Sequence, residues 1–229
     1  TLLKIDSAHY YRTDQLLLTL SMLLLCRTGS IDALRNEPVA EWGHVLGLDR
    51  IPSPDTIRKR IGSFCNNEES IAEWTSMLSS QWLADLPPSH VGTLYCDGHV
   101  RVYHGKNANL PRRYVSRQQL CLRGTSDYWV NDRSGMPVFV ISTPHTTGLL
   151  SALRDDILPR LKDEMPEISD DILEKNPYRA RFKMVVDREG YSPVFIDEMW
   201  KEHRIACQTY HKYPGELWPE SEFQEQLVH

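Results

Sequence analysis

The sequence predicts a mixed α/β fold preceded by a small all-helical N-terminal domain. Apolar residues recur at helical spacing as far as residue 86. After Pro87 and Pro88 the pattern changes to short runs rich in β-branched and aromatic residues. These runs then alternate with amphipathic segments, an order typical of a mixed sheet with crossover helices. The predicted domains are residues 1–88 and residues 89–229.

Two helices open the N-terminal domain. The first is expected over residues 14–25, with Asp14 as its cap, and it is apolar on nearly every side. Such a helix must be covered by other elements. The second is expected over residues 38–46 and stops at Gly47.

Two further helices complete this domain. Ser53 is expected to cap the third helix, and the fourth covers residues 68–83. With the third helix, the second forms a weak helix-turn-helix pattern, because the linker between them is longer than the usual turn. We expect Trp74 and Trp82 to be core residues of the fourth helix. We expect three basic side chains of the third helix to face solvent and to be candidate DNA contacts: Arg58, Lys59 and Arg60.

The second domain is predicted to alternate strands and helices. Turn residues 132–135 favour a hairpin between two of the strands, and the acidic residues 163–174 are expected to form a solvated excursion. The predicted strands are 91–102, 127–131, 137–142, 181–187 and 205–210, and the predicted helices are 149–161 and one opening at Ser192.

Composition indicates an ordinary globular chain. It has 229 residues, 41% of them hydrophobic, and a formal net charge of -5, which argues against disorder and against a uniformly basic nucleic-acid coat. The longest apolar run, residues 16–26, is too short to span a bilayer, and no secretory signal precedes it, so we expect a cytoplasmic protein. The five cysteines show no CxxC pattern and are expected to be reduced and buried. Because the chain begins without Met and ends in a polar, helical-looking stretch, we expect a fragment.

Two acidic residues lie at informative places in the predicted sheet. Asp97 falls in its first strand, and Asp187 closes the strand that follows the crossover helix. A right-handed crossover would set these two strands side by side. Carboxylates that meet at one sheet edge repel one another and favour a bound divalent cation such as Mg²⁺ or Mn²⁺. An acid at a strand end is equally typical of a turn or a helix cap.

A basic segment follows Asp97 directly. Residues 98–126 contain no Asp or Glu, although the chain as a whole is acidic. Such a concentration of charge is a candidate phosphate-binding stripe, and a solvated basic loop is the alternative. Its six positive residues are Arg101, Lys106, Arg112, Arg113, Arg117 and Arg123.

These segments resemble a known family. LYCDGHVRVYHG (94–105), with its continuation at 112–132, resembles the first catalytic region of bacterial insertion-sequence transposases of the DDE type. VVDREGYSPVFIDEMWKEHRIACQTYHK (185–212) is similar to their second region, and residues 41–61 resemble their helical N-terminal part. The resemblance implies an RNase H-like catalytic core, with Asp97 and Asp187 as its first two catalytic acids and as ligands of Mg²⁺ or Mn²⁺, two ions in the complete enzyme.

The same resemblance implies a third acid, a Glu on a later helix. No residue fits this role, because the acids after the last strand follow it too closely and Glu189 is expected to face solvent or to pair with Arg188. We therefore expect the core to be incomplete at its C-terminal end and inactive alone. The late acids are Glu216, Glu220, Glu222 and Glu225.

The leading hypothesis is accordingly a DNA transposase that performs metal-dependent phosphodiester hydrolysis and strand transfer at transposon ends. Its expected partner is double-stranded DNA, on which it would form a homo-oligomer, and its expected location is the nucleoid. A non-catalytic DNA-binding or assembly remnant and an RNase H-like nuclease are the alternatives. Tyr191 and Ser192 are first of all a helix start, and His145 is expected to be a loop residue without a metal.

Overall fold

A computed structural model describes residues 10–66, 68–87, 92–143, 148–211 and 221 of the chain. The chain divides into two compact units, and the division falls between Thr75 and Ser76. This point lies inside a helix, ahead of the predicted division at residue 88. No helix in the described part of the chain combines the length and the hydrophobicity that crossing a membrane would require.

The first unit is helical. Its apolar core is formed by residues from each of the first elements, chiefly Leu16, Leu34, Trp42 and Ile57. The elements are α1 (Thr13–Leu25), a 3₁₀ helix (Ile31–Asn36), α2 (Val39–Val45), α3 (Pro54–Cys65) and α4 (Glu68–Asp85), the last of which continues into the second unit.

The helix boundaries follow from local capping. Ser53 accepts a hydrogen bond from the backbone N–H of Thr56, which confirms the predicted cap of α3. Gly47, with φ of +68°, ends α2 as predicted. The predicted cap of α1 was wrong: Asp14 lies inside the helix, whose preceding residue is Arg12. The Arg12 backbone N–H instead donates to the Gln15 side chain at 2.9 Å.

Two predicted side-chain positions in the helices were also wrong, because Arg60 was expected to face solvent and Trp82 was expected to be buried. Arg60 is buried, with 6% of its surface exposed, because it lies on the side of α3 that carries Ile57. Trp82 is 49% exposed, and Leu83, the next residue, takes the buried position on α4. The buried face of α4 is therefore shifted by one residue from the face predicted on the basis of Trp82.

The second unit contains a six-stranded mixed sheet. Its strands are β1 (Thr93–Val102), β2 (Arg112–Val115), β3 (Leu120–Asn131), β4 (Pro137–Thr143), β5 (Phe182–Val186) and β6 (Ile205–Gln208). The order is β2-β3-β1-β5-β6, and β4 also pairs with β3. Strands β1, β5 and β6 are parallel, whereas β3 is antiparallel to β1, β2 and β4.

Helices cover one face of this sheet. They are α5 (Leu149–Ala152), which continues through a π-helical turn (Leu153–Ile157) into α6 (Leu158–Glu164), then α7 (Asp170–Lys175) and α8 (Pro193–His203). Leu153, Leu161 and Met199 of these segments pack with Leu94 and Met184 of the sheet in one core. The predicted helix over 149–161 and the predicted α8, capped by Ser192, are confirmed. The predicted mixed α/β sheet after an all-helical segment is confirmed as well.

The structure contains one short strand that the sequence did not predict, and several cysteines differ from expectation. Strand β2 pairs with residues 120–123, so β3 begins seven residues before its predicted start. Cys26, Cys65 and Cys121 are exposed, which overturns the prediction that all five cysteines are buried.

The acidic segment was predicted as a fully solvated excursion, and that prediction was also wrong in part. Glu164 is buried and bonds to Arg160 and Ser79, and Leu173 on α7 is buried as well.

Candidate functional site

The two predicted acids lie side by side where the pairing between β1 and β5 ends, a place that we call the acidic edge. Strands β1 and β5 are parallel, and their last registered pair is Cys96 with Val186. Asp97 is the next residue of β1 and Asp187 directly follows the last residue of β5, so their backbones follow a pair that lies about 5 Å apart. Side chains alternate along a strand, and both carboxylates therefore leave the face opposite to buried Cys96 and Val186. Both aspartates are exposed.

The electrostatics of Cys96 agree with this placement. Burial, together with the negative charges of Asp97 and Asp187, raises the pKa of the Cys96 thiol to about 12. Both carboxylates therefore act on one thiol. A site of this kind has an excess of negative charge that a divalent cation would neutralise.

Local contacts hold Asp187 at the end of β5. Its Oδ1 accepts a hydrogen bond of 2.9 Å from the Glu189 backbone N–H, and its carbonyl accepts one of 2.6 Å from Thr209. A 3₁₀ turn (Arg188–Gly190) follows directly. Gly190 is required there, since a Cβ at this position would overlap the Val186 side chain. The turn thus directs the chain away from β5 immediately after the acid.

Aromatic side chains flank the acid pair on the same face of the sheet. Trp129 lies directly opposite Asp97 in the β1–β3 register, and Tyr95 precedes Asp97 by two residues on its strand. Both rings are partly open, with 38% and 41% exposure. Sequence reasoning missed them because aromatic residues in strands are ordinarily assigned to the core. Their alternation with buried Cys96 and Tyr128 was the available signal.

The structure does not bring a third acid to this edge within its described part. No cluster of three His, Cys, Asp or Glu side chains suited to a metal occurs among the described residues. Glu189 is exposed, and its charge adds to the burial that raises the pKa of Tyr128. Tyr191 packs against His211 with ring centroids 4.6 Å apart. The expectations for His145, Glu216, Glu220, Glu222 and Glu225 concern residues outside the described part.

The residues of the basic stripe fall into two groups: those that bond to other residues of the fold and those that are exposed without such a bond among the described residues. Arg101 donates to Asp127, through Nε at 2.7 Å, and Asp127 itself is 2% exposed. Arg113 is buried and its guanidinium reaches the carbonyl oxygen of Thr143 at 3.5 Å. The remaining predicted contacts are exposed: Lys106, Arg112, Arg117 and Arg123.

The basic residues of α3 divide in the same way. Arg58 forms ion pairs with Asp32 and Asp55 in its own unit. Two guanidinium nitrogens of buried Arg60 have no hydrogen-bond partner among the described residues. Lys59 is exposed. Of these three predicted DNA contacts, Lys59 is the one whose charge is presented to solvent without an ion pair in the described chain.

The fold is a mixed α/β sheet with packed helices, in which two acids directly follow the last paired residues of two adjacent parallel strands. Comparison with known proteins identifies the family: residues 4–229 match the family described as "Transposase protein", and the chain belongs to it. No curated protein sequence matches the chain significantly.

Two solved transposase structures align with the chain. The piggyBac transposase in a synaptic complex with hairpin DNA aligns with a TM-score of 0.50 and 11% identity, over 90% of this chain and 44% of that one. The Mos1 transposase in a paired-end complex with a left transposon end aligns with a TM-score of 0.29 and 11% identity, over 90% of this chain and 61% of that one. The chain therefore spans about half the length of the transposases to which it aligns. The first of these likenesses shows a shared fold.

Proposed function

We propose that this transposase family member is of the DDE type and that Asp97 and Asp187 hold a catalytic divalent cation, Mg²⁺ or Mn²⁺. The observation that supports the proposal is the register of β1 and β5, in which Asp97 and Asp187 directly follow the paired residues Cys96 and Val186. Hard divalent cations prefer carboxylate oxygens. The donor set fits such an ion, because both side chains are exposed and point away from the apolar core.

The reaction would be hydrolysis of a phosphodiester at a transposon end, followed by strand transfer. The oxygen of a water molecule attacks the phosphorus, and the bond from phosphorus to the 3′ oxygen breaks. The oxygen of the freed 3′ hydroxyl would then attack the phosphorus of a target phosphodiester, the bond from that phosphorus to the target's own 3′ oxygen would break, and this leaving oxygen would take up the proton. A divalent cation supplies charge neutralisation and activation of the attacking oxygen in chemistry of this kind. The complete enzyme would use two ions and a third acid.

Residues of this chain would position the DNA around that chemistry. Lys106, Arg112, Arg117 and Arg123 are exposed and lie in the segment that continues from the acid pair. Each cation that contacts a phosphate adds a salt-dependent term to affinity. Arg101 is held by Asp127, and Arg113 is held by the end of β4. We therefore assign these two arginines a structural role and not a contact with DNA. The expected partner is duplex DNA, on which the protein would form a homo-oligomer, and the nucleoid is the expected location.

Binding of Mn²⁺ tests the site directly. Isothermal titration of the wild type, Asp97→Asn and Asp187→Asn should show a binding event that either substitution abolishes, because each removes one anionic ligand without changing side-chain shape. Asp155→Asn is the matched control, since Asp155 is exposed on the π-helical turn before α6 and should leave binding unchanged. Equal binding by all four proteins would refute the shared site.

A second candidate function is a DNA-binding or assembly protein that has lost catalysis. It is favoured by the presence of only two of the expected acids at the sheet edge in the described part of the chain. Duplex binding that persists without any Mn²⁺ binding would select this alternative. An RNase H-like nuclease outside transposition has no observation in its favour beyond the shared fold.

A further inference from the structure

The hairpin of β2 and β3 extends the sheet as a two-stranded arm. We call residues 112–123 the β2–β3 ribbon. Its strands pair in register from Arg112 with Arg123 to Val115 with Leu120. This pairing begins one position beyond Gly124, the last partner of β1 on the same strand. The ribbon carries four arginines and no acidic residue.

The two faces of the ribbon differ in exposure. Arg112 and Tyr114 alternate with Arg113 and therefore share a face with their cross-strand partners, Cys121 and Arg123. Each of these four side chains is exposed, and Tyr114 is 62% exposed. Arg113, on the other face, is buried against the end of β4. The ribbon thus presents one cationic and aromatic face outward.

The tip of the ribbon is polar and well defined. The Gln118 backbone N–H donates to the carbonyl of Val115 at 3.0 Å, and Gln119 takes a left-handed φ of +53° to return the chain to β3. Residues 116–119 are all exposed. Three of them, Arg117, Gln118 and Gln119, have long side chains that carry hydrogen-bond donors.

Backbone contacts fix the base of the ribbon to the sheet. Tyr103 N–H donates to the Arg123 carbonyl at 2.8 Å, and Gly124 N–H donates to the Pro111 carbonyl at 3.1 Å. The Tyr103 hydroxyl accepts hydrogen bonds from the backbone of Asn107 and Ala108, each at 3.2 Å. The loop that leads into β2 is therefore anchored at both ends, and the ribbon has a set direction.

We propose that the β2–β3 ribbon enters the major groove of duplex DNA, an inference that rests on the proposed function. A two-stranded ribbon fits a major groove about 12 Å wide, and Arg and Gln are the side chains that pair with guanine and adenine edges there. Arg112 and Arg123 contact phosphates on the groove walls, and the tip residues Arg117 and Gln118 reach the base edges. The partner is duplex DNA because every charged side chain of the ribbon is an arginine.

The ribbon and the acid pair would contact different parts of the duplex. Cys121 lies eight residues before Trp129, the cross-strand partner of Asp97. At a rise of about 3.4 Å per residue the separation is about 27 Å, or about eight base pairs of B-form DNA. Substitutions in the ribbon should therefore leave Mn²⁺ binding at the acid pair unchanged.

The exposed thiol of Cys121 gives a direct measurement of ribbon contact. The wild-type chain is treated with N-ethylmaleimide with and without a 40-base-pair duplex of mixed sequence, and each cysteine is followed by mass spectrometry. At a DNA concentration about ten times the Kd, alkylation of Cys121 should slow about tenfold. High salt should restore its rate, since phosphate contacts are salt-dependent.

Charge variants identify the contacts. Arg112→Ala/Arg123→Ala should reduce the salt slope of duplex binding by about 2, near 0.9 per lost phosphate contact. Lys175→Ala/Arg179→Ala is the matched control, because it removes two exposed positive charges outside the ribbon and should leave the slope unchanged. Retained protection of buried Cys96 from alkylation shows that each variant is folded.

The outcomes separate the two proposals. DNA bound by the wild type with Cys121 alkylated at its free rate, or an unchanged slope in the ribbon variant, would overturn the ribbon proposal alone. Failure to bind any duplex would overturn it together with the DNA-directed function. Loss of Mn²⁺ binding in the acid variants is scored separately, so a failed metal site is distinguishable from a failed ribbon.

Discussion

We predict that Arg101 stabilises the fold and does not contact DNA, so that Arg101→Ala destabilises the second unit. Asp127 is 2% exposed, and Arg101 donates to its Oδ2 through both Nε and a terminal nitrogen. Ser142 adds a bond of 2.8 Å to Oδ1. The substitution leaves a buried carboxylate without its counter-ion. Losing a charge-assisted hydrogen bond costs about 1.5 to 3 kcal/mol, and the 63% exposure of Arg101 places the loss toward the lower value.

The measurement is chemical and thermal unfolding of the full chain. A loss of about 1.5 to 3 kcal/mol corresponds to a decrease in Tm of about 3 to 12 °C for a protein of this size. Arg123→Ala removes an exposed arginine from the ribbon and should change the unfolding free energy by less than about 0.5 kcal/mol. Asp127→Ala and the double variant complete a cycle that isolates the interaction energy of the pair.

The same variants also measure DNA binding. Arg101→Ala should keep the wild-type salt slope, because its charge is already compensated by Asp127. Arg123→Ala should lower the slope while the stability stays constant. If Arg101→Ala is as stable as the wild type and lowers the slope by about 1, Arg101 contacts phosphate and the assignment to the fold is incorrect.

Three further predictions concern stability and reactivity. Burial raises the pKa of Cys207 from 9.0 to about 11. Between these pH values only the unfolded thiol is ionised, so the free energy of unfolding should fall as the pH rises. Cys207→Ala should reduce that fall, measured in a pH series of urea titrations. Gly124→Ala should cost about 1 to 3 kcal/mol in urea unfolding, because a Cβ would overlap the carbonyl oxygen of Arg101 on β1, whereas Gly135→Asn in the exposed turn should cost less. Glu164→Ala removes the buried partner of Arg160 and should lower the free energy of unfolding by about 3 kcal/mol; a loss below 1 kcal/mol would show that the pair is solvated.

Elements with regular periodicity were predictable. The helix over 149–161 and the strand over 181–187 have apolar patterns whose burial the structure confirms. Strand β2 could not be predicted from the sequence, because Arg112 and Tyr114 supply no apolar face and the strand is held by its partner β3. Trp82 and Leu83 show a different limit. Periodicity fixes the stripe of a helix to within about one residue, and packing chooses which neighbour is buried.

The positions of the two acids of the candidate site could be predicted from the sequence. Which of the basic residues are free to bind a ligand could be predicted only in part. Asp97 and Asp187 could be paired from strand order alone, because a parallel crossover leaves little freedom in where the ends of adjacent strands lie. The basic residues could not be sorted in this way. Arg101 is engaged because Asp127, 26 residues later, lies across the sheet, and Arg113 is buried because alternation turns it to the inner face of the ribbon. The sequence shows where positively charged residues are concentrated. The structure is needed to show which of them already have a partner in the fold and which are exposed to solvent.

Strand β3 connects the parts of the proposed DNA surface. Its first residues form one side of the ribbon, and its later residues place Trp129 opposite Asp97 and Asp127 within reach of Arg101. A continuous strand holds these positions at fixed spacing, because residues 120–123 pair with β2 and residues 126–131 pair with both β1 and β4. An acidic edge repels a polyanion, and a cationic arm about 27 Å away can hold the duplex without neutralising the carboxylates that a metal requires. Separation along one strand therefore lets a chain of net charge -5 present both signs of charge to DNA.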